Sequence, residues 1–308
     1  MLSEVFYWVL NMSIIASVFG IFIYFLRFIK GFPKYVSYLL WAIVQIRLLC
    51  PFGMNSRYSL LNLLNTVLQK VIVKTIPIKI GLQQQVSLSN AIQAVDSYEP
   101  FTVKTKLLEK FFEVGSVIWL VTSLVAILAV LIMYFLSKNE LKKATHLRDN
   151  IYESPLIKVP TVLGIINPKI VLPIGLGDKQ LTLILVHEKI HIRRYDNVWR
   201  MLAILTACIH WFNPLIWWFL KVFLADMEIA CDALAVKKME DEDRRDYARL
   251  LLEYAGYENT MITSTFGSSQ VSVRIKSILT YKKLTLISSI TFLIMGFAIA
   301  YFMLTNAA

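Results

Sequence analysis

The sequence predicts an α-helical integral membrane protein with about four spans, and a mainly helical domain with a small β-hairpin between the third and fourth spans. Two observations lead to this fold class. Apolar residues make up 57% of the chain, and its mean hydropathy of +0.59 lies above that of a typical soluble domain. The apolar residues also form uncharged runs of about 20 residues, the length that a spanning helix needs.

Three uncharged runs predict spans, at residues 5–26, 114–137 and 284–305. A fourth span is predicted at 35–51, which is shorter and contains Arg47, a side chain long enough to reach the headgroups. The first run fits a retained helix better than a secretory signal, because Glu4 precedes it and basic residues follow it.

Basic residues predict the orientation, because short loops rich in Lys and Arg remain in the cytoplasm. Such residues follow the first run and lie at both ends of the segment 138–283. The net charge of +11 then reflects contact with anionic membrane lipid, and no direct nucleic acid binding is expected. The predicted organisation is two N-terminal transmembrane helices in 1–51, an extracellular segment in 52–113, a third transmembrane helix in 114–137, a cytoplasmic domain in 138–283, and a fourth helix with a short outer tail in 284–308.

The cytoplasmic domain is predicted to begin with short strands. Gly164 and the turn signal Asn167-Pro168 separate β-branched runs, which indicates a hairpin with residues 170–172 as its second strand. A helix is expected to begin at Asp178, as its N-cap, and to run to about Arg194.

That helix carries the sequence HEKIH at 187–191. Residues four apart share one face of a helix, so His187 and His191 can bind one metal ion, while Glu188 can reach a metal-bound water as general base. The alternative is a helix with two amphipathic histidines. It is less favoured because Val186 and Ile190 already supply the apolar face.

A catalytic zinc ion needs a third protein ligand. Glu228 is the candidate, within the run DMEIACDALAV, and Asp232 lies four residues later on the same predicted helix. Asp232 can accept the free N–H of a zinc-bound histidine and so fix its tautomer. A solvated pair of carboxylates is the alternative, although the apolar neighbours favour a packed helix, where a carboxylate needs a cation.

Residues 201–220 are uncharged and long enough for a fifth span, which would separate His187 from Glu228 by the membrane. Asn213-Pro214 allows the run to form two helices instead of one span, because a residue before proline is disfavoured in helical geometry. We therefore predict a buried or partly lipid-embedded helical hairpin, in which His210 is more readily a packed histidine than a catalytic one. Its tryptophans are expected at the membrane interface: Trp211, Trp217 and Trp218.

The combined motifs resemble the BlaR/MecR-type membrane metallopeptidases, which are signal transducers of β-lactam resistance in bacteria. The resemblance covers nearly the whole chain and rests on RLLCP, GIINPKIVLP, HEKIHIRRYD, HWFNPLIW and EIACD. It implies a gluzincin-like zinc domain on the cytoplasmic side of the bacterial cell membrane. In this family the zinc ligands would be His187, His191 and Glu228, with Glu188 as the base. Relatives that sense β-lactams carry a penicillin-binding domain after the last span, and the sequence given reaches only Ala308, so a sensor on this polypeptide is not expected.

The resemblance also implies a function. A zinc metalloendopeptidase would relay a signal to a cytoplasmic winged-helix repressor, with self-cleavage in the 256–271 linker near Thr265-Phe266. A separate sensor protein and a homodimer are further candidate partners, and no organic cofactor is expected beside Zn²⁺. Two alternatives stay open: a housekeeping membrane metalloprotease unrelated to a repressor, and a catalytically inactive membrane scaffold.

Overall fold

The structure is a computed structural model, which describes residues 2–28, 32–50, 55–56, 58, 106–140, 144–255, 267–281 and 286–307. The helices are α1 (Leu2–Leu26), α2 (Lys34–Leu49), α3 (Lys106–Glu140), α4 (Asp178–Arg193), α5 (Asp196–Ile209), α6 (Pro214–Ala235), α7 (Asp241–Ala255), α8 (Gly267–Leu279) and α9 (Leu286–Leu304), with a 3₁₀ turn at Val236–Lys238. The strands are β1 (Asn55–Ser56), β2 (Thr145–Arg148), β3 (Ile151–Glu153), β4 (Thr161–Leu163), β5 (Lys169–Leu172) and β6 (Asn306–Ala307). The predicted mainly helical class with a small sheet is confirmed. Most of the predicted outer segment, and the proposed cleavage pair Thr265 and Phe266, lie outside the described residues.

Within the described residues, two helices are long and apolar enough to cross a membrane, α1 and the Lys110–Asn139 part of α3. Shorter apolar stretches, Tyr35–Leu49 and Ile290–Leu304, make up most of α2 and α9. The count of four spans and the orientation of the chain therefore stay predictions.

Arg47 does not extend outward as the sequence suggested. Its side chain is only 3% exposed, and it donates to the backbone oxygens of Met303 at 3.0 Å and Thr305 at 2.8 Å. The last carbonyls of a helix lack partners within the helix. Arg47 therefore joins the end of α2 to the end of α9, and nearby β1 pairs in parallel with β6.

The chain reverses direction between α5 and α6, as Asn213-Pro214 predicted. Pro214 is the first residue of α6, and the Asn213 side chain caps the helix by accepting from the Leu215 N–H at 2.9 Å. We call α5, the turn at 210–213 and α6 the helical hairpin. Its two helices pack against α1 and α2 in one apolar core. That core includes Phe19, Ile23, Trp41, Ala207, Phe219, Phe223 and Met227.

Polar contacts hold the tip of the helical hairpin inside the protein. Asn213 donates to the hydroxyls of Ser13 and Ser17 on α1, each at 2.8 Å. Trp119 of α3 donates to the Ile209 carbonyl at 2.8 Å, and His210 bonds the Leu48 carbonyl at 3.0 Å. These contacts satisfy several polar groups of the turn within the protein, as buried polar groups require.

The predicted β-hairpin is present but belongs to a larger sheet. Strands β4 and β5 pair antiparallel, while β5 also pairs in parallel with β3, giving the order β2-β3-β5-β4. The sequence prediction missed β2 and β3, which have only four and three residues. Strand β5 is thus central and has a neighbour on each side, whereas β4 forms an edge.

Candidate metal centre

Helix α4 presents the two motif histidines and Glu188 on its buried side. The helix spans the predicted range, but its N-cap is Gly177 rather than Asp178. Gln180 Oε1 accepts from the Gly177 N–H at 3.3 Å, which satisfies one of the free donors at the helix start. Leu183, Ile184 and Leu185 anchor the preceding turn in a second apolar core with β5 and α7. The three motif residues are each at most 8% exposed.

The helical hairpin brings Glu228 to these histidines. Glu228 Oε2 lies 3.5 Å from His187 Nε2 and 3.6 Å from His191 Nε2, and the two Nε2 atoms are 3.0 Å apart. Ligand atoms bound to one tetrahedral zinc ion at 2.0–2.1 Å would be about 3.3 Å from one another. The three side chains therefore already have the spacing that a shared metal ion requires.

Cys231 offers a second set of ligands. The ligand atoms of His187, His191 and Cys231 all lie within 4.8 Å of one another. However, the Cys231 thiol donates to the His187 carbonyl at 3.4 Å, which holds it against the backbone of α4. Glu228 lines the cavity in front of the histidines, and Cys231 is not among the described residues that line it.

Asp196 orients His191. Its Oδ2 atom lies 2.6 Å from His191 Nδ1, and Asp196 is fully buried. A carboxylate accepts, so His191 carries its proton on Nδ1 and its Nε2 lone pair is available for a metal. Tyr195 adopts a left-handed conformation with φ of 56°, which turns the chain from α4 into α5 within two residues.

Tyr247 and Asp232 orient His187 together. Tyr247 donates its O–H to Asp232 Oδ1 at 2.7 Å, so its oxygen accepts from His187 Nδ1 at 2.7 Å. Asp232 itself lies 3.3 Å from the same nitrogen, so the contact predicted from sequence is shared with a tyrosine. Arg274 of α8 binds Asp232 through two nitrogens, at 2.8 and 2.9 Å.

The site is strongly ionic. Burial raises the pKa of Glu228, but His191 and Arg274 beside it hold that pKa well below its usual range. Burial lowers the pKa of His191, but Glu228 and Asp196 raise it overall above its ordinary value. Metal ligands must be deprotonated, so metal binding at this site should release protons.

A cavity of about 370 Å³ opens in front of the histidines. Its wall includes Glu188, Arg200 and residues 159–162, which contain the first part of β4. Arg200 donates to Glu228 Oε1 at 3.2 Å and is 39% exposed. The cavity is thus apolar on its sides, with charged groups gathered at the metal end.

The remaining predicted residues are placed as follows. His210 lies at the tip of the helical hairpin, where it bonds Leu48. Trp217 and Trp218 are partly exposed on α6, and the Trp211 carbonyl accepts from Trp217 Nε1 at 3.1 Å. Sequence reasoning missed four residues that contact the candidate ligands or their partners: Asp196, Arg200, Tyr247 and Arg274. Only Asp196 could have been found from sequence, because it lies just five residues after His191.

Comparison with known proteins gives matches across most of the chain. Residues 7–278 match the family described as BlaR1 peptidase M56. The regulatory protein BlaR1 of Bacillus licheniformis is 30% identical over 128 residues, which are 39% of this chain and 21% of BlaR1. The methicillin resistance mecR1 proteins of Staphylococcus aureus and Staphylococcus epidermidis are each 25% identical over 132 residues, 40% of this chain and 23% of the relative. The match thus spans between a fifth and a quarter of the length of these relatives.

Proposed function

The chain belongs to the BlaR1 peptidase M56 family, and on that premise we propose that it is a membrane zinc metalloendopeptidase that relays a signal to a cytoplasmic repressor. One observation carries the enzymatic part. Hydrogen bonds hold His187 and His191 by Nδ1, so their two Nε2 atoms face each other at 3.0 Å, with Glu228 Oε2 at 3.5 and 3.6 Å. Two imidazole nitrogens at that distance share a cation, either a proton or a metal ion, and the carboxylate beside them would supply the third ligand that a catalytic metal needs.

We assign the ligands as His187, His191 and Glu228. A catalytic zinc ion has three protein ligands and one position that remains open to substrate. Glu228 lines the cavity, whereas the Cys231 thiol lies against the backbone of α4, so a metal ion held by Glu228 would be the more accessible to substrate. Asp196 and Tyr247 would keep both imidazoles in the binding tautomer.

The chain's own residues supply the remaining chemistry. When bound, zinc contributes a Lewis acid that polarises the scissile carbonyl and activates water near neutral pH. Glu188, in the cavity wall next to His187, takes the proton of the attacking water and passes it to the leaving amine. Arg200 and Arg274 balance the charge of Glu228.

We assign β4, rather than the central strand β5, as the strand that pairs with an extended peptide substrate. A peptide adds to a sheet only at a free edge, and β5 is enclosed because the Ile170 N–H donates to Asn150 O on the side of β3. Residues 159–162 line the cavity. An extended peptide along this edge would run through the cavity that Glu188 also lines.

The signalling part rests on the family and on the names of the relatives. These are a regulatory protein and methicillin resistance proteins, which supports a role in resistance signalling, and a cytoplasmic winged-helix repressor is the target that we propose. Self-cleavage near Thr265-Phe266 fits the position of α8, since Val271 and Arg274 line the cavity. A separate sensor protein and a homodimer remain part of this proposal.

The test compares the purified full chain with three variants. Wild type and Lys189→Ala, which changes an exposed residue of α4, should contain about one zinc ion per chain, and His187→Ala should contain much less. Co-expression with a candidate repressor should yield fragments that are absent with Glu188→Ala. Wild type without zinc would favour the inactive scaffold, and proteolysis that leaves the repressor intact would favour the housekeeping protease.

A further inference from the structure

A hydrogen-bonded chain leads from α2 to the metal centre. Tyr38 of α2 donates its hydroxyl to Asp196 Oδ1 at 2.9 Å. The other oxygen of the same carboxylate holds His191 Nδ1 at 2.6 Å. Tyr38 is 8% exposed and Asp196 is fully buried, so water does not compete strongly with either contact.

The aromatic ring of Tyr38 is held in place independently of its hydroxyl. It stacks on Phe223 of α6 with ring centroids 5.7 Å apart and an interplanar angle of 10°. The guanidinium of Arg194 lies over it at 4.2 Å. Arg194 Nε also lies 3.4 Å from Asp196 Oδ1, a longer contact than that of the tyrosine. The hydroxyl of Tyr38 is therefore the closer of the two groups that hold Oδ1.

We propose that Tyr38 is a positioning residue for the metal ligand His191, through which the membrane-side helix α2 acts on the metal centre. The inference rests on the proposed function, because it assumes that His191 binds the metal. The hydroxyl fixes the rotation of the Asp196 carboxylate, and the carboxylate fixes the plane and tautomer of the imidazole. A shift of α2 relative to α5 would lengthen the tyrosine contact and loosen one ligand of three.

A neighbouring contact provides a matched control. Ser37, the residue before Tyr38, donates to Asp226 Oδ2 at 3.0 Å. Asp226 also accepts from Trp41 at 2.9 Å and pairs with Arg27 at 2.9 Å. Ser37→Ala therefore removes one polar contact between α2 and the helical hairpin without touching the chain of contacts that reaches His191.

The experiment measures zinc affinity of the full chain in detergent, by competition with a coloured chelator, together with the visible absorption of the cobalt-loaded protein. Loss of a direct partner of a metal-bound histidine typically weakens metal binding by about 10- to 100-fold, so Asp196→Asn should lie in that range. Tyr38 is one hydrogen bond further from the metal ligand than Asp196. Tyr38→Phe should therefore weaken zinc binding by about 3- to 10-fold and alter the cobalt spectrum. Ser37→Ala should leave both readouts as in wild type.

A double-mutant cycle distinguishes positioning from packing. If Tyr38 acts through Asp196, Tyr38→Phe should have no further effect on zinc affinity in the Asp196→Asn background. The proposal is overturned if Tyr38→Phe binds zinc as wild type does, if its effect persists in that background, or if Ser37→Ala has an equal effect. Wild type that binds no zinc would instead refute the proposed function, and the inference with it.

Discussion

Asn213 is expected to contribute strongly to stability, because its side chain makes four contacts at the tip of the helical hairpin. It caps α6 through Leu215 N–H and binds two serine hydroxyls of α1. Loss of such a cap costs about 1 kcal/mol, and a hydrogen bond between membrane helices contributes about 0.6 kcal/mol. Asn213→Ala should therefore lower the free energy of unfolding by about 2 kcal/mol, a roughly 30-fold change in the folding equilibrium constant.

Unfolding of the full chain in mixed micelles, followed by circular dichroism, measures this loss. Asn213→Ser is the matched control, because its hydroxyl can still cap α6 but is too short to reach α1; it should cost about half as much. In a Ser13→Ala, Ser17→Ala background, Asn213→Ala should cost only the cap, about 1 kcal/mol. A loss below about 0.5 kcal/mol in the wild-type background would refute the view that these contacts hold the turn.

Four further predictions concern the metal centre. Glu228→Ala should abolish stoichiometric zinc binding while Cys231→Ala retains it, as measured by metal analysis, and the reverse result would assign the thiol as third ligand. Tyr247→Phe should weaken zinc binding by about 10-fold, because His187 loses the tyrosine oxygen that orients it. Unchanged affinity would show that Asp232 alone suffices to orient His187. Arg274→Gln should destabilise the fold by about 3 kcal/mol in a denaturation assay, because a buried carboxylate loses its cation, and a cost near zero would contradict this. Zinc at 100 times its dissociation constant should stabilise wild type by about 2.7 kcal/mol over chelated protein, and Glu228→Ala should show no such difference.

The reversal of the chain could be predicted from sequence because two independent requirements coincided there. One metal ion cannot bind side chains on opposite sides of a membrane, and Asn213-Pro214 marked the place where a helix is disfavoured. The motif helix was equally predictable from sequence, since its histidine spacing and apolar periodicity are local properties of the chain.

The surroundings of the ligands could not be predicted in the same way. Tyr247 and Arg274 lie far along the chain from His187, and only tertiary packing brings them together. Strands β2 and β3 were missed because three or four residues are too few to show a period, and without β3 the central position of β5 is not visible. Arg47 was misread because its partners are backbone oxygens at the far end of the chain, which carry no signal in sequence.

The shared apolar core of the helical hairpin has a practical consequence for any attempt to isolate the catalytic part. Phe219, Phe223 and Met227 of α6 are buried together with Phe19 and Trp41 from the N-terminal helices. A soluble fragment that began after the third helix would expose these side chains to water and lose the anchors of Asp226. The candidate metal centre and the first two helices therefore belong to one folding unit, and a fragment cut free of α1 and α2 should aggregate.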